Sequence, residues 1–516
     1  MDNVSNQSEI AVIDFGSQYT QLIARKLRDL GVFSEIYPYT RYQEIVNADN
    51  VKGVILSGGP SSVFDEGAPV VEMALLECGK PILGICYGMQ LMCKMLGGSI
   101  AGSDKREYGP ATIELIDKSS FMNNTPDSQN VWMSHGDRVD SLPSGFKAIA
   151  RSGSIEHAAA VDVDRGFYCV QFHPEVVHSD HGMQMLENFT RDICGITEKW
   201  SPAEFVDEAI SEIRQRVGDR HVLCGVSGGV DSTVVATILD KAIGEQLHCV
   251  FVDNGVLRFD EAQNVETDLN SFLSRPIVSV DAKAEFFASL AGISDPEKKR
   301  KAIGGTFIDI FKKTANSLGE LHFLAQGTLY PDRIESVSIN GPSHVIKSHH
   351  NVGGLPAELG FELIEPLQDL FKDEVRKVGK SLGIPDNLLM RHPFPGPGLA
   401  VRILGEVTPS KVEMLQAADH IYIQELLDSG EYSNIWQAGA ILLPVQTVGV
   451  MGDQRTYESV VALRAVTSQD GMTADWSRIP AEVLAKVSNK IINEVKGVNR
   501  VVYDISSKPP STIEWE

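Results

Sequence analysis

At 516 residues the chain is too long for one hydrophobic core, and length alone predicts about three domains. Hydrophobic residues make up 43% and charged residues 22%, as in ordinary globular proteins, while a formal net charge of −23 argues against nucleic acid as the main partner and leaves local basic pockets for small anions. Seven cysteines without dense spacing, a polar start over Met1–Glu9 in place of a signal peptide, and no apolar run near the roughly 20 residues of a membrane helix predict a cytoplasmic setting with no membrane partner.

The chain opens as strand, turn and helix. Ile10–Asp14 is a short apolar run, Phe15-Gly16-Ser17 turns, and Tyr19, Leu22, Ile23, Leu27 and Leu30 recur at helical spacing before Gly31 as a cap. Apolar runs over Gly53–Leu56 and Pro81–Ile85, separated by a helical pattern, predict parallel strands with crossover helices in a unit that closes near Cys194-Gly195. Ser201-Pro202-Ala203-Glu204 then has the pattern of a capped helix start with a capping box. Strands are expected over His221–Val226, Leu247–Val252 and Pro276–Val280, and a helix over Asp373–Leu382 that stops at Gly383.

The stretch Arg391–Gly398 is too rich in proline and glycine for regular structure and marks a second boundary. Beyond it, strand-like runs at Ile441–Val450, Val460–Val466 and Arg500–Ile505 accompany a helix over Pro480–Val495. That helix carries Val483, Leu484, Val487, Ile491 and Val495 on one stripe, which fits either packing on its own sheet or a contact with another subunit. The expected domains are 1–199, 200–391 and 392–516, all of the α/β class.

Gly84-Ile85-Cys86-Tyr87-Gly88 places a thiol between two glycines, directly after a strand and before a helix. This is the logic of a nucleophile elbow: small neighbours allow a strained turn, and the helix N-terminus favours a thiolate. Cys78, Cys93, Cys169, Cys194, Cys224 and Cys249 sit in no such turn and read as small buried residues. A nucleophile needs a base and a group to orient it, and Val170-Gln-Phe-His173-Pro-Glu175 supplies both. Strand alternation puts His173 and Glu175 on one side, with Pro174 stiffening the link. Ser57-Gly58-Gly59-Pro60 follows a strand and offers backbone N–H groups for an oxyanion, together with that of Tyr87.

In this order the elements resemble the class I glutamine amidotransferase family over about residues 8 to 199. The resemblance implies that Cys86 attacks the side-chain amide of glutamine to form a thioester, that His173 protonates the departing ammonia, and that Glu175 holds His173. It also gives Gln90 and a loop of Ser134, His135, Gly136 and Asp137 to glutamine binding, beside Gly59 and Tyr87 at the oxyanion.

Ser227-Gly228-Gly229-Val230-Asp231-Ser232-Thr233 lies between the strand His221–Val226 and a helix expected over Val234–Leu239. Its glycines let backbone amides converge on phosphate oxygens, and it lacks the lysine of a Walker A loop. The string resembles the PP-loop of the N-type ATP pyrophosphatases, an adenine nucleotide alpha hydrolase-like fold, which implies cleavage between the α and β phosphates and adenylation of a substrate oxygen. Asp231 is the first choice for a Mg²⁺ contact, its alternative being to cap the helix. Asp253, at the end of the next strand, and a loop over Gln326–Asp332 fit the carboxyl edge where adenosine binds in such sheets; a plain surface turn is the competing reading of the loop.

Three stretches are candidates for an acceptor site: the basic run Lys298-Lys299-Arg300-Lys301, Lys347-Ser-His349-His350-Asn351, and Lys508–Glu516. A short basic run is ordinarily a solvated face. Together with both motifs and the Arg391–Gly398 segment, however, they give the whole chain a resemblance to the glutamine-hydrolysing GMP synthetase family. That resemblance implies xanthosine 5′-monophosphate (XMP) as acceptor, adenylated on its C2 oxygen by ATP with Mg²⁺. It gives Arg300, Lys508 and Glu514 to the nucleotide, the cations suiting phosphate and Glu514 ribose hydroxyls or a base N–H; by its charge alone, Lys347 is a candidate to offset charge on the adenylylated intermediate. It also makes the third domain a dimerisation domain, so a homodimer is expected. Neighbouring histidines on a strand point to opposite faces, so His349 and His350 are not read as a zinc site. A PP-loop NAD synthetase carries a different glutaminase, a tRNA-modifying sulfurtransferase needs a basic surface, and a silent nucleotide-binding regulator predicts a broken motif, whereas both motifs here are intact.

Overall fold

The computed structural model of the chain describes residues 9–17, 19–337, 360–451, 454–468 and 473–516; Lys347, His349 and His350 lie outside them. The described residues form two compact units, one up to Ser201 joined by residues from Pro331, the other made of Pro202–Tyr330 and the remainder. Among the described residues no helix is long and apolar enough to cross a membrane.

In the first unit, β1 (Glu9–Asp14), β2 (Phe33–Pro38), β3 (Val51–Leu56), β4 (Ile82–Ile85), β5 (Ser99–Leu115), β6 (Ser128–Ser141), β7 (Lys147–Ser152), β8 (Ala159–Asp162) and β9 (Phe167–Val170) form one sheet in the order β2-β1-β3-β4-β9-β8-β7-β5-β6. From β2 to β9 in that order the pairs are parallel, and from β9 to β6 antiparallel. The sequence explains the switch. Ile10, Ala11, Val12 and Ile13 of β1 are all fully buried, as a strand covered on both faces requires, whereas β6 alternates buried and exposed residues like a strand with one wet face. Ser134–Asp137, expected as a loop, lie within β6, with Glu107 and Tyr108 of β5 opposite His135 and Ser134 and the register shifting before Gly102 pairs with Asp137.

The second unit has a parallel sheet of β10 (Val222–Gly225), β11 (Leu247–Asp253), β12 (Val278–Asp281), β13 (Phe323–Ala325) and β14 (Glu362–Ile364), ordered β12-β11-β10-β13-β14. The chain runs from β10 outward through β11 to β12 and then returns to the other side of β10 as β13, so a crevice opens at the carboxyl ends of β10 and β13, where ligands sit in folds of this kind. The helix after β10 begins at Val230, not Val234, because Gly229 in extended conformation serves as its N-cap. The helix Tyr330–Val337 likewise shortens the expected Gln326–Asp332 loop, Pro331 being tolerated in a first turn.

A second sheet pairs β15 (Gln437–Met451) with β16 (Gln454–Thr467), and β16 with β17 (Asp475–Trp476) and β18 (Val498–Tyr503). The helix Ala481–Glu494 turns Val487 and Ile491 inward, fully buried, with Val483 and Leu484 packed beside them. Its stripe thus serves its own unit. One apolar cluster runs from Leu223 and Val250 through Leu399 and Ile403 to Val461 and Val498.

Candidate active site

Three neighbouring parallel strands of the first unit end together: β3 leads to Ser57–Pro60, β4 to Cys86, and β9 to His173. The Cys86 N–H donates to Val170 O at 2.8 Å, tying the elbow to the histidine strand. Cys86 has φ +52°, a left-handed conformation that a side chain adopts only under strain, and the helix Tyr87–Met95 begins immediately after it. Gly88 is needed because a Cβ there would press into the Leu56 carbonyl oxygen of β3.

His173 and Glu175 are 3% and 1% exposed, and His173 Nδ1 lies 2.7 Å from Glu175 Oε1. Burial opposes charge on His173, but Glu175 and the Cys86 sulfur outweigh it, and the imidazole pKa is raised well above the ordinary value. With Nδ1 held by the carboxylate, Nε2 is left to face other groups. The Tyr19 ring stands edge-on to the imidazole at 5.0 Å, His173 N–H donates to Trp132 O at 3.0 Å, and the Ser179 hydroxyl donates to His173 O at 2.6 Å. The Cys86 thiol donates to Ser134 O at 3.4 Å, and Gln90 Nε2 donates to Asp137 O at 2.8 Å. Strand β6 therefore reaches the thiol with its backbone. His135 is buried, which lowers its pKa, with Glu107 Oε2 3.6 Å away. The Gly59 backbone packs against Phe15 and the Tyr87 ring, and the Tyr87 N–H is one of the donors a helix start leaves open.

At the carboxyl edge of the second unit, Ser227 N–H donates to Ser232 Oγ at 3.1 Å, and Thr233 Oγ1 donates to Gly229 O at 2.9 Å. The motif is thus a loop of three residues closed onto a helical turn. Gly228, at φ +74°, packs so closely on Val265 that no Cβ fits. Asp253, ending β11 next door, accepts from Gly255 N–H at 3.0 Å and pairs with Lys283 at 3.0 Å. Gly327, after β13, lies against the Asp231 side chain.

Asp231 does not cap the helix. Both its oxygens accept from Lys372 Nζ at 2.6 Å. Lys372 was not legible as a site residue, since it stands in an ordinary helix start more than a hundred residues downstream. Among the described residues no three His, Cys, Asp or Glu side chains converge as for a metal. One carboxylate suits a Mg²⁺ ion that arrives on nucleotide phosphates, which asks for one or two protein carboxylates and keeps its waters.

Of the residues expected at the nucleotide, Arg300 Nη2 donates to Glu516 O, while the neighbouring Lys299 is fully buried and donates to Ala400 O at 3.2 Å, Ile403 O at 2.6 Å and the Glu516 carboxylate. Lys298 and Lys301 are exposed, so the basic run is only partly a solvated face. Glu514 accepts from Arg402 at 2.7 and 3.0 Å and from Gln437 at 2.8 Å. Burial raises the Glu514 pKa, but Arg402 reverses this and holds it below the usual carboxylate range. Lys508 pairs through its backbone with Ala474. Arg300 and Glu514 are therefore brought to the same tail, each already engaged by protein groups.

The glutamine amidotransferase class-I family matches residues 11–193, NAD synthase 203–281, and the GMP synthase C terminal domain 424–515. The GMP synthase [glutamine-hydrolyzing] of Nitratidesulfovibrio vulgaris (strain DP4) is 55% identical over 512 residues, covering 99% of each chain. That of Chlorobaculum tepidum is 56% identical over 515 residues, 98% of this chain and 99% of its own. A solved glutamine amidotransferase of Thermotoga maritima overlies 36% of this chain and 83% of its own, with TM-score 0.28 and 23% identity. On these full-length relationships, the chain belongs to the glutamine-hydrolysing GMP synthase family.

Proposed function

We propose that the chain makes GMP from XMP, ATP and L-glutamine, with Cys86, His173 and Glu175 as the glutaminase triad. Cys86 Sγ attacks the side-chain carbonyl carbon of glutamine. The C–N bond breaks, the nitrogen takes the His173 proton and leaves as ammonia, and water hydrolyses the thioester to glutamate and thiol. The N–H groups of Gly59 and Tyr87 hold the oxyanion, while Gln90 and the backbone of Ser134, His135, Gly136 and Asp137 hold glutamine. The observation that carries this reading is the buried 2.7 Å contact between His173 and Glu175 at the strand end beside the strained Cys86 turn.

In the second unit, Ser227–Thr233 hold the ATP phosphates with the open N–H groups of the helix start, and Asp253 lies at the adenosine side. The XMP C2 oxygen attacks the α-phosphorus and pyrophosphate leaves. Ammonia then adds to C2, and the oxygen departs with AMP. Mg²⁺, when bound, would neutralise the departing phosphates, and Asp231, which pairs with Lys372, is the carboxylate that would hold it. Arg300 and Lys508 take the XMP phosphate and Glu514 the ribose or base.

The division 1–199, 200–391 and 392–516 is proposed for the three tasks, and the enzyme is assigned to the cytoplasm. A homodimer through the C-terminal region is supported by exposed apolar residues Val448, Val450 and Tyr457 on β15 and β16, of which Val448 and Tyr457 are directly paired.

Nitrogen-labelled glutamine tests the reading: the label is expected in the exocyclic amine of GMP. Cys86→Ala is expected to abolish glutamine use while ammonium salts still support synthesis. Glutamine use at the parental rate by that variant removes the thiol from the mechanism.

A further inference from the structure

Gln171, one residue past β9, is fully buried. Its side-chain N–H donates to Cys86 Sγ at 3.8 Å, and its Oε1 is buried with no hydrogen-bond partner among the described residues. On another side the same sulfur donates to Ser134 O at 3.4 Å. The two contacts favour opposite states. A carbonyl acceptor wants the S–H proton present, whereas an amide donor binds a thiolate more strongly than a thiol. A half-satisfied buried amide costs stability relative to an apolar side chain of the same shape, so packing gives no reason for glutamine here. The contact with sulfur does.

We propose that Gln171 is a further catalytic residue of the glutaminase centre, its amide N–H stabilising the Cys86 thiolate as the S–H proton passes to His173. The sulfur electron pair then forms the C–S bond, the charge leaves the sulfur, and the contact weakens. When hydrolysis of the thioester returns the charge, the contact is restored. The other charged or titratable groups on this side are His173 with Glu175 after β9, His135 and Asp137 on β6, and Glu107 on β5. They are the same in parent and variant. The proposal rests on Cys86 being the nucleophile.

The test uses the full chain with Gln171→Met, which removes the donor, and Gln171→Glu, which keeps the shape. Iodoacetamide alkylation of Cys86, followed by peptide mass spectrometry, is measured against pH. Half-maximal alkylation is expected to move up by about one pH unit in the Met variant and further in the Glu variant, as loss of one charge-assisted hydrogen bond implies. Glutaminase kcat is expected to fall about tenfold in the Met variant, with the KM for glutamine within about twofold. Its Tm is expected to stay parental or rise, and ammonium-driven synthesis monitors folding. A parental alkylation curve in the Met variant overturns the proposal. So does a lowered Tm with loss of ammonium-driven synthesis, because the amide is then structural. Cys86→Ala separates the two levels: if it abolishes glutamine use while the Gln171 variants behave as parent, only the role of Gln171 falls.

Discussion

Glu175→Gln keeps the shape of a fully buried side chain and removes its charge. The contact it alters is 2.7 Å long, between groups 3% and 1% exposed, so water cannot substitute for the lost carboxylate. A charge-assisted hydrogen bond contributes about 1.5–3 kcal/mol, a factor of about 10 to 150 in rate. A second effect adds to it. The Gln amide can present N–H to His173 Nδ1 and so place the imidazole proton on Nε2, the wrong tautomer, for which the ceiling in comparable triads is about 10⁴-fold. Glutamine-driven kcat is therefore expected to fall by about 10²- to 10⁴-fold, while ammonium-driven synthesis stays within about twofold. Glutamate release and GMP formation, assayed in parallel, separate the two. Stability follows with a definite sign. The His173 pKa is raised in the folded chain, so the pair stabilises fully below the ordinary value of 6.5 and loses this contribution as pH rises through the folded value. The Tm difference between parent and variant should accordingly be largest at acid pH and close at alkaline pH. A glutaminase rate within fivefold of the parent, or a Tm gap that widens with pH, refutes the reasoning.

Asp231→Ala is expected to lower pyrophosphate release by on the order of 10²-fold or more with either nitrogen source, and parental release with ammonium would remove Asp231 from phosphate chemistry. His392, stacked on Tyr432 with centroids 3.7 Å apart, has its pKa pushed down to about 4, first by burial. Unfolding must let it take up a proton below its ordinary value of 6.5, so stability is full above that pH and falls between 6.5 and about 4. Urea unfolding at pH 5 against pH 7 should show this group costing about 2 kcal/mol, and His392→Phe should flatten that part of the profile.

The clustering of Cys86, His173 and Glu175 and the turn of Ser227–Thr233 were legible because each sits at a strand end, where local pattern fixes direction: an apolar run, a glycine turn, then a polar residue. The boundaries of the helix at Val230 and of β6 through Ser134–Asp137 were not, since Gly229 as an N-cap and pairing with β5 are decided by neighbours and not by periodicity. Lys372 was hidden for the same reason. Its partner Asp231 is 141 residues away, and nothing in an amphipathic helix start marks one lysine as a loop contact. In the run Lys298–Lys301, composition predicted charge but not that Lys299 alone turns inward, which depends on acceptors from residues 400, 403 and 516.

The C-terminal tail carries a consequence for biosynthesis. Arg464 donates to Ile513 O and Thr512 O and pairs with Asp504, all at 2.8 Å, while Arg402 and Lys299 find their carboxylates in Glu514 and Glu516. These cations are almost wholly buried, and a buried cation without its partner is strongly destabilising. Until residues 504–516 have left the ribosome, Lys299 and Arg464 of the nascent second unit stand without these carboxylates, and Arg402 has only Asp419, 3.7 Å away.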